Sequence, residues 1–136
     1  MKKFSLSKNE RIKEKKIFDK LYKSGKIVLS KNKSIKAIYL AEKSQEPCAK
    51  IAIGISKKAG KAVWRNRLKR LIRNAYRLNK LQLLDLAKQK NLNIYVLFSS
   101  LSLNQINCPK VKYDFIELEV ISLLELIHKK INSLFN

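Results

Sequence analysis

Cationic side chains gathered between positions 57 and 77 are the residues of this chain best suited to chemistry, because they bind phosphate. The segment holds nine Lys or Arg residues and no Asp or Glu. Set at about 100° per residue, as on an α-helix, its side chains separate into two arcs. The apolar arc contains Trp64, Leu68, Leu71, Ile72, Ala75 and Leu78, and the polar arc contains Arg65, Asn66, Lys69, Arg70, Arg73 and Arg77. The pattern predicts an amphipathic helix that follows Gly60 and ends near Asn79.

The simplest interpretation of such a charge run is a solvated face, but two features favour nucleic acid. Within the helix Arg outnumbers Lys, and Arg makes bidentate contacts with phosphate and stacks on bases. The whole chain carries a formal charge of +21 over 136 residues. That charge repels itself in a compact fold and is typical of proteins that a polyanion neutralises. Nucleic acid is therefore the first candidate partner, and an anionic membrane surface is the second.

Two aromatic residues offer a second binding feature. Phe18 and Tyr22 lie one helical turn apart and are either core residues or a platform on which unpaired bases stack. Ile17 and Leu21 already form a core-facing pair on the same predicted helix. Phe18 and Tyr22 are therefore freer to border a cleft.

Three lysines surround the glycine that precedes the basic helix. Lys57, Lys58 and Lys61 flank Gly60, where the backbone can approach a phosphate and the helix N-terminus adds partial positive charge. The alternative is a simple turn between a strand and a helix, and the two interpretations are compatible.

The chain lacks the residue groupings that catalysis requires. It has one His, two Cys and no carboxylate cluster in the basic segment that could hold divalent ions. We therefore predict no catalytic residue, no metal site and no small-molecule substrate, so that any chemistry is supplied by a partner. Cys48 and Cys108 are expected to be thiols of a reducing cytosol. No secretory signal and no stretch of the roughly 18 apolar residues needed to cross a membrane is visible, which predicts a cytoplasmic protein.

Periodicity predicts the elements that must position these residues. Strands are expected at 26–30, 35–41, 50–56 and 92–98, and helices at 10–24, 61–79 and 111–135, with 81–90 either further helix or a turn. The order α-β-β-β-α-β-α predicts one α+β domain over residues 1–136, a sandwich of a four-stranded sheet with helices. Residues 1–9 are expected to form a flexible basic arm.

Side-chain size predicts which surfaces pack. In the third strand, Ala52 and Gly54 leave one face shallow, which would admit either a ligand or a packed helix. In the last helix, the residues expected to face inward are Leu118, Ile121, Leu124, Ile127 or His128, Ile131 and Leu134.

The run from Ser56 to Arg77 resembles a known signature. Its Arg65-Asn66-Arg67 triplet, followed by Lys69-Arg70 and Arg73, is similar to the RNR motif of the protein subunit of bacterial ribonuclease P. The N-terminal residues Arg11, Ile12, Phe18, Leu21, Tyr22 and Gly25 also match that family's pattern. The resemblance covers about residues 8 to 132 and is strongest in the first two thirds.

The resemblance implies a function and a set of site residues. Ribonuclease P removes the 5′-leader from precursor tRNA, and its RNA subunit is the catalyst and binds the Mg²⁺ ions. The protein would bind this RNA, one to one, and also bind the leader in a cleft between the first helix and the sheet. The residues implied for the catalytic RNA are Arg65, Asn66, Arg67, Lys69, Arg70 and Arg73, and those for the leader are Phe18, Tyr22, Lys57 and Lys61. The implied fold is the ribosomal-protein-S5-domain-2-like fold with a left-handed crossover.

Some residues depart from the family pattern. Trp64 is unusual before the triplet, Ser99 and Ser100 stand where a basic residue is common, and the loop from Ser99 to Pro109 looks long. A ribosomal or RNA-assembly protein with no role in cleavage remains an alternative, in which Phe18 and Tyr22 would be core. A helix-turn-helix DNA-binding protein is disfavoured by the predicted strands.

Overall fold

A computed structural model describes residues 10–135 as an α+β fold, as predicted. The predicted basic arm at 1–9 lies outside the described residues. The elements in chain order are α1 (Lys15–Ser24), β1 (Lys26–Leu29), β2 (Ile35–Lys43), β3 (Cys48–Ile53), α2 (Ala62–Asn79), α3 (Leu81–Lys90), β4 (Leu92–Ser100) and α4 (Tyr113–Leu134). A single 3₁₀ turn, Lys57–Ala59, precedes α2. The segment at 81–90, for which the sequence allowed either structure, is a separate helix.

The four strands form one mixed sheet in the order β1-β2-β4-β3. β1 and β2 pair antiparallel, as do β2 and β4, whereas β3 and β4 are parallel neighbours joined through α2 and α3. The continuous apolar run of β4 predicted a central strand, and β4 does lie between β2 and β3. Helix α2, which carries the basic residues, is therefore part of the crossover connection between the parallel strands β3 and β4.

The two faces of the sheet are covered unequally. One face and the helices α2, α3 and α4 enclose the main core, in which Leu68, Ile72, Phe98 and Ile127 are fully buried. Within the described residues, the other face carries α1 and a smaller core built from Ile12, Ile17, Leu21, Ile38, Tyr95 and Leu97. Part of that second face is left open beside α1.

The first helix begins five residues later than predicted. Residues 10–12 instead run along the outer edge of β3, where Arg11 forms a parallel bridge with Ile51. The Ile12 N–H donates to the Ile51 carbonyl oxygen at 2.8 Å. An unpaired strand edge satisfies its backbone groups by such pairing, and helical periodicity in the sequence cannot reveal that competition.

The predicted buried stripes were wrong at three positions. Leu118 and Leu134 of α4 are 65 % and 72 % exposed, whereas Val120 and Leu123 are fully buried. Apolar residues occur all around α4, so periodicity alone does not select one stripe. In α2, Leu78 is 41 % exposed, and the core position is taken by Tyr76, whose ring lies 6.2 Å from that of Phe98.

A buried carboxylate ties the turn between β1 and β2 to α4. Glu119 is fully buried, and its carboxylate accepts hydrogen bonds from the hydroxyls of Ser30 at 2.7 Å and Ser34 at 2.6 Å. The backbone and side-chain N–H groups of Asn32 complete the cage at 3.1 to 3.3 Å. Burial raises the pKa of Glu119, but these hydrogen bonds outweigh burial and lower the pKa below its ordinary 4.5.

Substitution Glu119→Gln should destabilise the fold in a pH-dependent way. At neutral pH we expect the free energy of unfolding to fall by about 2 kcal/mol, because hydrogen bonds to a charged acceptor are lost. A depressed folded-state pKa contributes stability above the unfolded value and loses it as the pH falls through the folded one. Urea unfolding of the wild-type and Glu119→Gln proteins measures this effect. The difference between their free energies of unfolding should become smaller below pH 4.5. A difference that stays constant with pH would contradict the assignment.

Candidate nucleic-acid interface

Helix α2 separates its side chains into a buried face and a cationic face. Trp64, Leu68, Ile72 and Ala75 lie in the core, as predicted. Asn66, Arg67 and Arg70 are exposed, and Arg65, Lys69 and Arg73 are half-buried. The six residues implied for RNA binding therefore all reach the surface along one helix.

Two of the arginines are oriented by backbone carbonyl groups. The Arg65 Nε–H donates to the Gly60 oxygen at 3.0 Å, and Arg67 donates to the Val111 oxygen at 2.9 Å. Within residues 10–135, no carboxylate pairs with Arg65, Arg67, Lys69, Arg70 or Arg73. Their charges are therefore available to a polyanion.

A cleft opens between α1 and the edge of β3. It has a volume of about 220 Å³ and is lined by Arg11, Ile12, Phe18, Ile51, Ala52, Ile53 and Arg73. Phe18 is half-buried beside the smaller core, and Tyr22 is 70 % exposed. The core pair is Ile17 and Leu21, as expected from the sequence. The structure therefore leaves both aromatic rings accessible to a ligand.

The shallow face predicted for β3 forms the floor next to this cleft. Ala52 lines the cleft, and Gly54 is exposed. A Cβ at position 54 would meet only the Leu97 side chain, at 3.9 Å. Ala52 is half-buried against the smaller core under α1, and the exposed Gly54 beyond it leaves space for a ligand.

The lysines that precede α2 line a different groove. Lys57, Lys58 and Lys61 border a groove of about 480 Å³ together with Ala59, Gly60, Gln105 and Ile106. Phe18 and Tyr22 are not among its lining residues. Of the four residues implied for the leader, Phe18 lines the cleft at α1, Lys57 and Lys61 line this second groove, and Tyr22 is exposed on α1 without lining either.

The long loop after β4 holds the start of α2 in place. The Gln105 N–H donates to the Ala59 oxygen at 2.7 Å, and the Gln105 Oε1 accepts from the Lys61 N–H at 2.8 Å. The Trp64 Nε1–H donates to the Cys108 oxygen at 2.9 Å. A Cβ at position 60 would lie 2.8 Å from the Trp64 ring and 2.9 Å from the Gln105 Cβ, so the site requires glycine. The unusual Trp64 and the long loop are therefore structural partners.

Sequence reasoning missed two features of the cleft. Arg11 was noted only as half of a basic-aliphatic pair, and Arg73 only as one of the helix cations. The structure brings both beside Phe18, because the N-terminal segment pairs with β3 and α2 passes along the same edge. No periodicity or spacing in the sequence predicts that Arg11 and Arg73 lie next to Phe18.

Other candidate chemistry is limited in the part of the chain that the structure describes. Cys48 and Cys108 are free thiols. Burial raises the pKa of the Cys48 thiol and nearby Lys50 lowers it, with burial prevailing. No group of three or more His, Cys, Asp or Glu side chains that could hold a metal ion occurs among residues 10–135. No helix in that range is long and apolar enough to span a bilayer.

Comparison with known sequences gives consistent matches. A family model described as Ribonuclease P matches residues 6–118. A "Ribonuclease P protein component" of Syntrophus aciditrophicus is 38% identical over 80 residues, which cover 59% of this chain and 64% of the relative. One of Clostridioides difficile is 45% identical over 62 residues, covering 46% and 51%. The matched segments thus span between half and two thirds of these relatives.

Solved structures with the same fold are also found. An RNase P protein of Staphylococcus aureus aligns with a TM-score of 0.61 and 22% identity, covering 93% of this chain and 98% of that one. The RNase P protein of Thermotoga maritima aligns with a TM-score of 0.63 and 21% identity, covering 88% and 96%. At this identity the alignments establish the fold.

Proposed function

Because this chain belongs to the ribonuclease P protein family, we propose that it is the protein component of the ribonucleoprotein that removes the 5′-leader from precursor tRNA. Membership confirms the resemblance carried by the RNR triplet. The proposed partners are one molecule of the catalytic RNA and the precursor tRNA. The proposed location is the cytoplasm, where these RNAs are found in bacteria.

The main support for the proposal is that an aromatic ring and two arginines line the same narrow cleft. Phe18 offers a face for an unpaired base, and Arg11 and Arg73 flank it with cationic groups. Aromatic and cationic contacts of this kind bind single strands with little sequence preference. An enzyme that processes many precursor tRNAs requires that tolerance in its leader site.

The cationic face of α2 supports a second contact with a different RNA. Arg65, Asn66, Arg67, Lys69 and Arg70 would bind the phosphates and bases of the catalytic RNA. Arg73 belongs with them in sequence, but it lines the cleft, so we propose that it contacts the leader at the border between the two RNAs. A cationic protein between two polyanions lowers their mutual repulsion.

The chemistry of cleavage is proposed to reside in the RNA. The Mg²⁺ ions that activate the attacking water would be held by that partner, and this chain would contribute binding. Lys57 and Lys61, together with Lys58, would approach the leader or the adjacent phosphates from the groove before α2.

Reconstitution tests the function directly. The protein is mixed with a bacterial ribonuclease P RNA and precursor tRNA at low Mg²⁺, and cleavage is compared with RNA alone. Stimulated cleavage at the mature 5′-end is expected. A protein that binds the RNA tightly without stimulating cleavage would instead support the ribosomal or RNA-assembly alternative.

Substitution Phe18→Ala should weaken binding of precursor tRNA to the holoenzyme by about tenfold, because one stacked base contributes roughly 1–3 kcal/mol. Binding of mature tRNA, which has no leader, should be unchanged. Phe115→Ala is the matched control, since Phe115 is a half-buried ring that packs on the main core. Equal losses for precursor and mature tRNA would refute the assignment of the cleft to the leader.

A further inference from the structure

Strand β1 is the last strand at one end of the sheet. The sheet order is β1-β2-β4-β3, and no strand lies beyond β1 among residues 10–135. The other end of the sheet is partly covered, because Arg11 and Ile12 pair with the outer edge of β3. In the described part of the chain, β1 therefore presents a strand edge, Lys26–Leu29, that no other strand covers.

The pairing of β1 with β2 determines which of its backbone groups face outward. The Ser30 N–H donates to the Ile35 oxygen at 2.9 Å. Because hydrogen-bonded and non-hydrogen-bonded pairs alternate along an antiparallel ladder, Val28 also directs its N–H and C=O groups to β2. Ile27 and Leu29, at the alternate positions, direct theirs away from the sheet. Each of these two residues thus offers one donor and one acceptor to another strand.

The side chains of β1 add an apolar surface to these backbone groups. Val28 enters the main core, with 5 % exposure, whereas Ile27 and Leu29 are 61 % and 39 % exposed. A strand placed beside β1 would bring its own alternate side chains next to Ile27 and Leu29, and such cross-strand apolar pairs stabilise a sheet. We call the backbone of Lys26–Leu29, with the side chains of Ile27 and Leu29, the β1 edge.

The charge around the β1 edge is positive. Residues 21–41 contain five lysines and no Asp or Glu. Lys26 and Lys31 are exposed, and none of the five forms an ion pair within residues 10–135. The nearby carboxylate of Glu119 is buried and already accepts hydrogen bonds from the turn after β1. The surroundings of the edge therefore favour a negatively charged partner.

Charge and backbone geometry together select the kind of partner. Lysines near an edge strand protect it from aggregation, and here they also oppose a second copy of this chain, which carries a charge of +21. They do not oppose an extended segment rich in Asp and Glu. A nucleic acid fits the β1 edge less well, because its phosphate oxygens only accept hydrogen bonds and would give no donor to the Ile27 and Leu29 carbonyl groups.

We propose that the β1 edge is a docking site for an extended acidic segment of a protein partner, which joins the sheet as an additional strand. The backbone of this segment pairs with Ile27 and Leu29, and its carboxylates face the surrounding lysines. Addition of a peptide to a sheet edge is a common mode of recognition. β1 lies three strand spacings, or about 14 Å, from β3 and its cleft. The inference does not depend on the proposed function, because binding is measured on the protein alone.

The probe is a labelled peptide of about eight residues in which Val alternates with Glu, long enough to cover the four residues of β1. Fluorescence anisotropy measures its affinity at about 150 mM salt, where attraction between distant charges is screened. In a strand, one alternate set of residues faces the neighbouring strand. N-methylation of that set should weaken binding about tenfold, because backbone hydrogen bonds are lost, and N-methylation of the other set should have little effect. Equal affinity of both methylated peptides and the unmodified one would overturn the proposal.

Amide hydrogen exchange measures where the peptide lies. Binding should slow exchange of the Ile27 and Leu29 N–H groups about tenfold or more, and should change exchange at Val28 less, since its N–H already faces β2. Protection along Ala62–Asn79 without protection of β1 would mean that the peptide binds the cationic helix α2 as a general polyanion. That result would also overturn the proposal.

Variants of β1 test the edge from the side of the protein. Ile27→Pro removes an outward N–H, which an edge strand tolerates, and should weaken peptide binding about tenfold. Ile27→Thr keeps the N–H and a β-branched side chain and should weaken binding about threefold, so it provides the test if the proline variant does not fold. Lys23→Ala with Lys26→Ala should weaken binding more than the matched pair Lys129→Ala with Lys130→Ala on α4. Wild-type affinity in all the β1 variants would contradict the assignment.

Other occupants of the β1 edge would give different results. If Ile27→Pro alters the sedimentation of the free protein but not peptide affinity, the edge is a contact between copies and the proposal is wrong. If the variant weakens binding of the catalytic RNA or precursor tRNA but not of the peptide, the edge binds nucleic acid and the proposal is again wrong. Absence of stimulated cleavage with intact peptide binding would refute the proposed function alone.

Discussion

Raising the salt concentration from about 50 to 200 mM should weaken the complex of this chain with the catalytic RNA by about a thousandfold. Each cation that neutralises a phosphate releases a counterion, and about six such contacts produce this dependence. The cationic face of α2 and the lysines before it supply that number. Fluorescence titration of labelled RNA across a salt series measures the slope. A slope near zero would mean that the helix does not bind phosphate.

Substitution of two cations of α2 tests whether this helix is the source of the dependence of RNA affinity on salt. The side chains of Lys69 and Arg70 form no hydrogen bond or ion pair with other residues in the range 10–135, so their removal should leave the fold unchanged. Lys69→Ala with Arg70→Ala should lower the slope of log affinity against log salt by about two. The matched control, Lys129→Ala with Lys130→Ala, removes two exposed charges from α4 and should lower the slope much less. Equal changes in the two variants would indicate a nonspecific effect of net charge.

Substitution Glu10→Gln should destabilise the protein by about 3–5 kcal/mol, because it removes the carboxylate from a buried ammonium group. The Nζ of Lys80 lies 2.7 Å from Glu10 Oε2, and the side chains are 2 % and 20 % exposed. Lys80→Met should cost less, since the Glu10 carboxylate that remains is nearer to solvent. Urea unfolding of both variants measures the difference. A larger loss in Lys80→Met would contradict this explanation.

Two further variants test whether burial is the cause. In the double variant, Glu10→Gln with Lys80→Met, neither charge is left buried, and it should be more stable than Glu10→Gln alone. The exposed pair Lys20–Glu42 provides the comparison, with an N–O distance of 3.2 Å and side chains 48 % and 38 % exposed. Glu42→Gln should change the free energy of unfolding by about 0.5 kcal/mol or less. A large effect at Glu42 would mean that burial does not distinguish the pairs.

The same ion pair has a consequence for the cleft. Glu10 precedes Arg11, which lines the cleft beside Phe18. Loss of the pair should therefore also weaken leader binding in protein that remains folded, because the segment carrying Arg11 is less firmly held against β3.

Local patterns in the sequence predicted the elements well where one face is clearly apolar. The buried positions of α2 from Trp64 to Ala75 follow from helical spacing, and the central position of β4 follows from its continuous apolar run. Prediction failed where contacts between residues far apart in the chain determine the bounds of a helix or its buried face. The start of α1 depends on pairing between Arg11 and Ile51, and the buried stripe of α4 depends on which of its many apolar residues meet the sheet.

The residues of the candidate site also divide into those that local sequence patterns predict and those that long-range contacts place. The cationic face of α2 is visible in the spacing of its arginines, whereas the position of Arg73 beside Phe18 requires the sheet order. Nothing in the sequence distinguishes Glu119 from the other acids of α4, yet it is fully buried. Its partners, Ser30, Asn32 and Ser34, are more than 80 residues away in the chain, and no local pattern reports such a contact.

The central position of β4 has a consequence for the order of assembly during synthesis. β4 is the common neighbour of β2 and β3, yet it follows them in the chain by the whole length of α2 and α3. The hairpin of β1 and β2 can form early, but β3 cannot join the sheet until its neighbour β4, residues 92–100, is made. Pairing at such sequence separation slows folding, because the loop must close before the contacts form. The nascent chain therefore exposes its arginines to cellular polyanions before the sheet that will orient them is complete.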